Sequence, residues 1–281
     1  MRVRRVHDLL AGWERLGLAS TEPQSRPHGS AVFSLKERSL ELATRPYRIA
    51  FIDIETAPNL GYTWAKYEQN VIAFKKEWFM LSFAVKWADA DKVKTYGLPQ
   101  FEGYENDRTD DSNLVAKLWS VLDEADLVVA HNGDRFDLRK ANARFLQHGL
   151  TPPSPYKTVD TLKLARKYFA MTSNKLDDIA KALGLGKKAE TGGFQLWLDC
   201  MAGDKKAWRK MLRYNGNDVV LLEKVYEQLR PWHTTHPDTH LGACYACGAG
   251  RLQRRGFEFG NGKKHQRLQC MGCGKWSREK A

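Results

Sequence analysis

Phe51-Ile52-Asp53-Ile54-Glu55-Thr56 is an apolar run that carries two acids two positions apart. In a strand, successive side chains point to opposite faces, so Asp53 and Glu55 share one face while Phe51, Ile52 and Ile54 supply apolar surroundings. Two anions held side by side repel each other and resist desolvation unless a cation joins them. Oxygen-only ligation of this kind suits Mg²⁺ or Mn²⁺. A D-x-E pair by itself is more often two solvated acids where a strand reaches the surface. The rest of the chain decides between the two.

Downstream, Val128-Val129-Ala130-His131-Asn132 reads as a second short strand, and Phe136-Asp137-Leu138 opens an amphipathic stretch. Asp137 therefore stands near a helix start, where the helix dipole favours a carboxylate, and taken alone it is better explained as a cap. Tyr214-Asn215-Gly216-Asn217-Asp218 lies inside a long helical pattern from about Lys205 to Leu229. Tyr214 and Asp218 are spaced i, i+4, which puts their Cβ atoms on one helix face roughly 5–6 Å apart. In isolation this is a half-buried Tyr beside a surface Asp.

Together these pieces resemble the DEDD superfamily of 3′-to-5′ exonucleases in its tyrosine-bearing branch, as in the proofreading domain of family-B DNA polymerases. The order is D-x-E on a first strand, N-x₃-F-D after a later strand and Y-x₃-D on a late helix, met by Asp53, Glu55, Asn132, Phe136, Asp137, Tyr214 and Asp218. Residues 176–180 and 188–194 also look like stand-alone exonucleases of phage and mobile elements. The resemblance implies a two-metal phosphodiester hydrolysis with a pair of Mg²⁺ or Mn²⁺ ions. It assigns Asp53 to both ions, Glu55 and Asp218 to the one that activates water, and Asp137 to the second ion through water. Tyr214 would orient or deprotonate the attacking water. Asn132, Phe136 and Arg213 are the expected nucleic-acid contacts near this site.

The tail carries a second pattern. Cys244-x-x-Cys247 and Cys270-x-x-Cys273 are two knuckles separated by 22 residues, each followed by Gly (Gly248, Gly274). Four thiolates so spaced match one structural Zn²⁺ and resemble a zinc ribbon. Two disulfides are the alternative, and the lack of a secretory signal disfavours them. Between the knuckles, Arg254, Arg255, Lys263 and Lys264 alternate with Phe257 and Phe259, a pattern that suits a basic β-hairpin gripping nucleic acid. A purely structural ribbon docked on the core remains the other possibility.

The succession of elements predicts a mixed α/β, ribonuclease H-like sheet flanked by helices. Its parts are a strand over 49–55, a hairpin over 79–87 and 92–96, a helix over 113–124, a strand over 127–130, a helix over 137–148 and a short strand over 157–159. Asp160 after that last strand is explained by a helix N-cap. The domains expected are a basic helical extension (1–46), the exonuclease domain (47–231), a linker (232–241) and the ribbon (242–281). In the extension, residues 6–18 and 35–43 have helical apolar spacing, as a DNA-binding element or as helices packed on the core. His233, His236 and His240 read as part of a polar tether rather than a further metal site.

The chain has 281 residues, is 42% hydrophobic and carries a net charge of +12. Residues 1–48 contribute +4 and residues 232–281 contribute +6, so the basic excess sits in the flanks. That balance suits a polyanionic partner. Lys205, Lys206, Arg209, Lys210 and Arg213 recur at helical spacing before Tyr214, either lining a phosphate approach or forming a wet helix face. Lys187, Lys188, Gly192 and Gly193 are candidates for phosphate contact, although exposed lysines and glycine turns need no such role. No apolar run is long enough for a membrane span, and no signal segment follows Met1, so a cytoplasmic location is expected. The expected activity is a metal-dependent 3′-to-5′ exonuclease acting on single-stranded or frayed 3′ ends of DNA. A 3′-to-5′ exoribonuclease, a catalytically silent nucleic-acid-binding protein, and a nuclease subunit positioned by a protein partner are the alternatives.

Overall fold

Side-chain alternation along β1 (Ile49–Thr56) sets the architecture. Ile49 and Phe51 join the apolar cluster on one side of the sheet, whereas Ala50, Ile52 and Ile54 join the cluster on the other. A strand apolar on both faces needs cover on both. In the computed structural model, which describes residues 47–67, 70–234, 236, 243–260 and 263–280, β1 is the middle strand of five. Between it and the next sheet strand stands a separate two-stranded hairpin, β2 (Leu60–Tyr62) and β3 (Ala73–Lys76). The sheet is completed by β4 (Met80–Trp87), β5 (Lys94–Gly97), β6 (Leu127–Ala130) and β7 (Lys157–Asp160), in the order β5-β4-β1-β6-β7. β1 pairs antiparallel with β4 and parallel with β6. The predicted mixed α/β sheet is therefore present, with strand ends within two residues of those expected.

Six helices cover it among the described residues: α1 (Ser112–Glu124), α2 (Asp137–Gln147), α3 (Thr161–Tyr168), α4 (Leu176–Ala182), α5 (Gln195–Ala202) and α6 (Lys205–Leu229). Leu118 of α1, Phe145 of α2 and Leu196 of α5 pack on one face, and Leu164 of α3 and Ile179 of α4 on the other. α6 serves both. Trp208 and Met211 belong to the first cluster, while Val219, Leu222 and Val225 belong to the second. It passes from one layer to the other along residues 212–218, so its central turns need not be apolar. Gly216 fits that passage, since a Cβ there would meet Thr95 Cγ2 of β5 at 3.0 Å. Asp204 caps the helix by accepting from Lys206 N and Ala207 N, and the helix stops before Pro231. Asp160 caps α3 in the same way through Leu162 N and Lys163 N.

A three-stranded antiparallel unit follows, β8 (Leu252–Gly260), β9 (Lys263–Cys270) and β10 (Trp276–Lys280), with β9 in the middle. The expected basic hairpin is β8–β9; β10 was not foreseen. This unit touches the core through specific polar contacts. Tyr226 Oη and His236 Nε2 are 2.6 Å apart, Lys275 Nζ donates to the His233 carbonyl at 2.8 Å, and the Arg230 guanidinium donates to the Tyr245 carbonyl. The His236 ring also lies over that of Tyr245, with centroids 6.3 Å apart. The expected helices over 6–18 and 35–43, and His240, lie outside the described residues. Among the described residues, no helix is long and apolar enough to cross a membrane.

One buried charge cluster ties the first layer together. Asp111, fully buried before α1, accepts from Met80 N of β4 at 2.7 Å, pairs with the Arg144 guanidinium of α2 and contacts His148 Nε2 at 2.7 Å. Burial opposes its charge, yet the donors from His148, Arg144 and Met80 hold its carboxyl below the usual carboxylate range. Removing one partner of such a pair leaves an uncompensated buried charge, at a cost of about 3–5 kcal/mol. Asp111→Ala should lower unfolding stability by that amount in urea titration, with a smaller loss near pH 3, where the unfolded carboxyl is already protonated.

Candidate active site and cysteine cluster

The acids of β1 face the point where α6 changes layers. Carboxylate oxygens of Asp53, Glu55 and Asp218 lie within 4.8 Å of one another. A register shift in the β1–β4 ladder follows Glu55 directly, between it and Thr56. Irregularities of this kind often re-aim a side chain beside a functional centre. Asp218 is 1% exposed; its Oδ2 meets Lys188 Nζ at 2.5 Å, and its Oδ1 is buried without a hydrogen-bond partner. Asp137 is brought alongside. Its Oδ1 accepts from Ile54 N of β1 at 2.9 Å, so it is tied to the acid-bearing strand as well as starting its own helix. Asp137 does not belong to the tight group of three, but its charge acts on Asp53.

Four carboxyls this close cannot all be ionised in a dry setting without a countercharge. Burial, then the charges of Glu55, Asp137 and Asp218, push Asp53 far up. Burial and the Asp218 charge bring Glu55 to about 8, and burial brings Asp137 to about 7 against the opposing Ile54 N–H. Burial also raises Asp218, with relief from Lys188. Burial opposes the charge on Lys188, but Asp218 outweighs it and raises the ammonium's pKa. The donor set is oxygen-only, crowded and carries an orphaned buried oxygen on Asp218. It fits hard divalent cations, which the Asp53, Glu55 and Asp218 carboxylates would hold.

Tyr214 is half-buried one helical turn before Asp218, with its hydroxyl 3.3 Å from Lys188 Nζ and its ring edge-on to Trp197 at 6.3 Å. Tyr214 also favours the charged form of Asp218, and Trp197 that of Glu55. Asn215 Nδ2 donates to Asp53 Oδ2 at 2.6 Å and receives Ser82 Oγ on its own Oδ1 at 3.2 Å. Lys188 was expected only as a candidate phosphate contact, and Trp197 and Asn215 were not among the expected site residues. Asn215 left a trace, being a polar residue on the apolar stripe of a long helix. The pairing of Lys188 with Asp218 and the place of Trp197 left none, because the glycine-bearing stretch between α4 and α5 has no periodicity to fix where it leads. Of the other expected residues, Asn132 holds a left-handed backbone (φ 66°) and its N–H donates to Asp160 Oδ1, Phe136 is partly exposed, and Arg213 is exposed on α6.

The four cysteines meet at the other end of the described chain. Their Sγ atoms lie within 4.8 Å of one another, with Cys244–Cys273 at 3.7 Å and Cys247–Cys270 at 3.6 Å. A disulfide would need about 2.05 Å. The observed separations are edges of a tetrahedron whose centre lies about 2.3 Å from each sulfur, the Zn–S distance. The cluster thus fits one structural zinc. Arg254, Arg255 and Lys264 are exposed on β8 and β9, and Lys264 Nζ sits 3.8 Å from the Phe257 ring centre. Lys263 opens β9; its side chain lies outside the described part. Among the described residues no third group of potential metal ligands gathers.

A profile of the RNase H superfamily matches residues 50–230. The chain belongs to that superfamily, and its sheet carries the fold of a nuclease. Among solved structures it is similar to the family B DNA polymerase from the hyperthermophilic archaeon Pyrobaculum calidifontis, at 18% identity and a TM-score of 0.47. That similarity covers 67% of this chain and 25% of the polymerase chain, so the chain spans about a quarter of the polymerase's length. No curated protein matches it.

A ligand that binds the folded state stabilises it by about 2.7 kcal/mol at a hundredfold excess over Kd. Mg²⁺ or Mn²⁺ should therefore raise the melting temperature of the wild type. Asp53→Asn should start from a higher melting temperature without metal, since a repelling charge is gone, and should lose the metal-dependent rise.

Proposed function

We propose that this protein is a metal-dependent 3′-to-5′ exonuclease of the tyrosine-bearing DEDD type, acting on DNA from single-stranded or frayed 3′ ends. The observation that carries the reading is the convergence of Asp53 and Glu55 from β1 with Asp218 from α6, beside Asp137 and one turn from Tyr214. These are the acids and the tyrosine of the resemblance, filling their positions in the expected order. Bound Mg²⁺ or Mn²⁺ would supply charge cancellation at the scissile phosphate and a lowered pKa for the attacking water. The protein's own groups hold that chemistry in place. Asn215 fixes the rotamer of Asp53 and Ile54 N–H that of Asp137, while Trp197 favours the charged form of Glu55. Tyr214 orients the nucleophile. Lys188 is a cation at the same point and stands where it can meet a phosphate oxygen once Asp218 is otherwise engaged.

The basic ribbon, on this reading, holds the strand through phosphate contacts from Arg254, Arg255 and Lys264. No feature of the sequence reads a 2′-hydroxyl, so an exoribonuclease is the second reading, and sugar choice is read directly by the experiment.

End-labelled DNA and RNA oligonucleotides with Mg²⁺ or Mn²⁺ should give progressive shortening from the 3′ end, faster on DNA. Asp53→Asn should abolish it. Tyr214→Phe should keep metal binding and lose something on the order of 10²-fold in rate. Internal cleavage products, or robust turnover by Asp53→Asn, would remove this assignment. For the ribbon, each lost phosphate contact on a single strand lowers the slope of log affinity against log salt by roughly 0.7. The combined Arg254→Ala, Arg255→Ala and Lys264→Ala variant should therefore bind single-stranded DNA with a slope lower by about 2; an unchanged slope would assign the ribbon another task.

A further inference from the structure

The β2–β3 hairpin has no place in the chemistry above, and its surface is unusual. Both strands are exposed along their whole length, unlike every strand of the main sheet. Trp64 is 88% exposed and Tyr67 73%, and Tyr62 and Phe74 are more than half exposed beside them. An isolated two-stranded ribbon is marginal in water, and a cluster of exposed rings on it marks a binding surface more often than a structural need. Lys66 lies 5.3 Å from the Tyr67 ring centre, and Lys75 is exposed on β3. Exposed rings among lysines are what a protein presents to a single nucleic-acid strand, because every base has a stackable face and every link a charge.

The position of the hairpin says which strand. It begins five residues after Glu55 and returns at Trp78, just before β4. A cleft of about 550 Å³ lies at its root: Thr56, next to Glu55, with Asn59 and Trp78 lines one part, and Phe194 and Trp197 another. Lys140 of α2 reaches into the same cleft with its ammonium 3.6 Å from the Trp78 ring centre. Aromatic rings and a cation therefore line the ground between the end of the acid-bearing strand and the foot of the hairpin.

We propose that the β2–β3 hairpin is a stacking platform for unpaired bases upstream of the 3′ end, with Trp64 and Tyr67 as its principal faces. The inference rests on the nuclease reading for the strand's destination, and it deepens that reading by naming the substrate as unpaired for several nucleotides before its end. A double helix would keep those bases stacked on each other and unavailable to the rings. Lys66, Lys75 and Lys140 lie along the phosphates of the same strand.

The test is binding of a 5′-fluorescein oligothymidine of about twelve nucleotides, followed by anisotropy with no Mg²⁺ or Mn²⁺ added and no chelator, so that no turnover intervenes and the cysteine cluster keeps its metal. Base stacking on one ring is lost as a roughly 5- to 150-fold weakening, so Trp64→Ala/Tyr67→Ala should bind at least about tenfold more weakly than the wild type. Both side chains are solvent-exposed, and an unchanged melting temperature checks that the fold is intact. A second ligand with abasic sites upstream of its last nucleotides keeps the phosphates and removes the bases. The wild type should lose affinity for it, and the double variant should lose much less. Equal binding of the oligothymidine by both proteins, or an equal abasic penalty in both, overturns the proposal; a hairpin that serves a protein partner gives this result. Wild-type hydrolysis of the p-nitrophenyl ester of thymidine 5′-monophosphate reports on the carboxylates alone. Its absence together with absent oligonucleotide cleavage fells the nuclease reading, while the binding comparison still decides the hairpin.

Discussion

Repulsion among Asp53, Glu55, Asp137 and Asp218 is the constraint around which this molecule is arranged. Left to relax, four carboxyls would turn toward water and disperse. They do not, because three are pinned by a neutral donor or a cation, Asn215 on Asp53, Ile54 N–H on Asp137 and Lys188 on Asp218, and Trp197 favours the charge on the fourth, Glu55. β1 cannot shift to relieve them either, since it is hydrogen-bonded to β4 on one edge and to β6 on the other. The unfavourable electrostatics are offset by two apolar layers that meet at this strand, a common division in which a site is strained and the scaffold around it is not.

α6 is the second half of that arrangement. Its N-terminal turns pack on one layer and its C-terminal turns on the other, and the polar residues Tyr214, Asn215 and Asp218 occupy the passage between. The last turns carry Tyr226 and Arg230, which make contacts around His236 and Tyr245 before the cysteine cluster. One uninterrupted helix thus connects the acid site to the root of the ribbon. A loop in that position would transmit no fixed geometry.

Much of this was legible in the chain. β1, β6, α2 and α6 are long enough or apolar enough for periodicity to find them, and the cysteine knuckles announce themselves by spacing. The acids were found by order along the chain, although Asp137 looked locally like a helix cap until Ile54 N–H was seen to claim it. What escaped had physical reasons. The pairing of Lys188 with Asp218 escaped because Lys188 sits in a glycine-bearing stretch where no repeat constrains a side chain's direction and that partner is 30 residues away, and Trp197 escaped because it lies in the short helix that follows. The β2–β3 hairpin buries nothing, so the apolar alternation that marks a strand had no face to describe. β10 is short and charged, and it is recognisable only through its pairing with β9.

The geometry also narrows the task of Tyr214. Burial, and after it the Asp218 charge, raise its pKa, with Lys188 opposing. At neutral pH the group is a phenol, with the Lys188 ammonium donating to its oxygen. On the nuclease reading, a phenol so placed orients the attacking water but is ill suited to take its proton, because a phenolate beside Asp218 would add negative charge to a cluster already crowded with it. Cations held by Asp53, Glu55 and Asp218 would lower the water's pKa instead, so the acids act through the charge they hold and the tyrosine supplies direction.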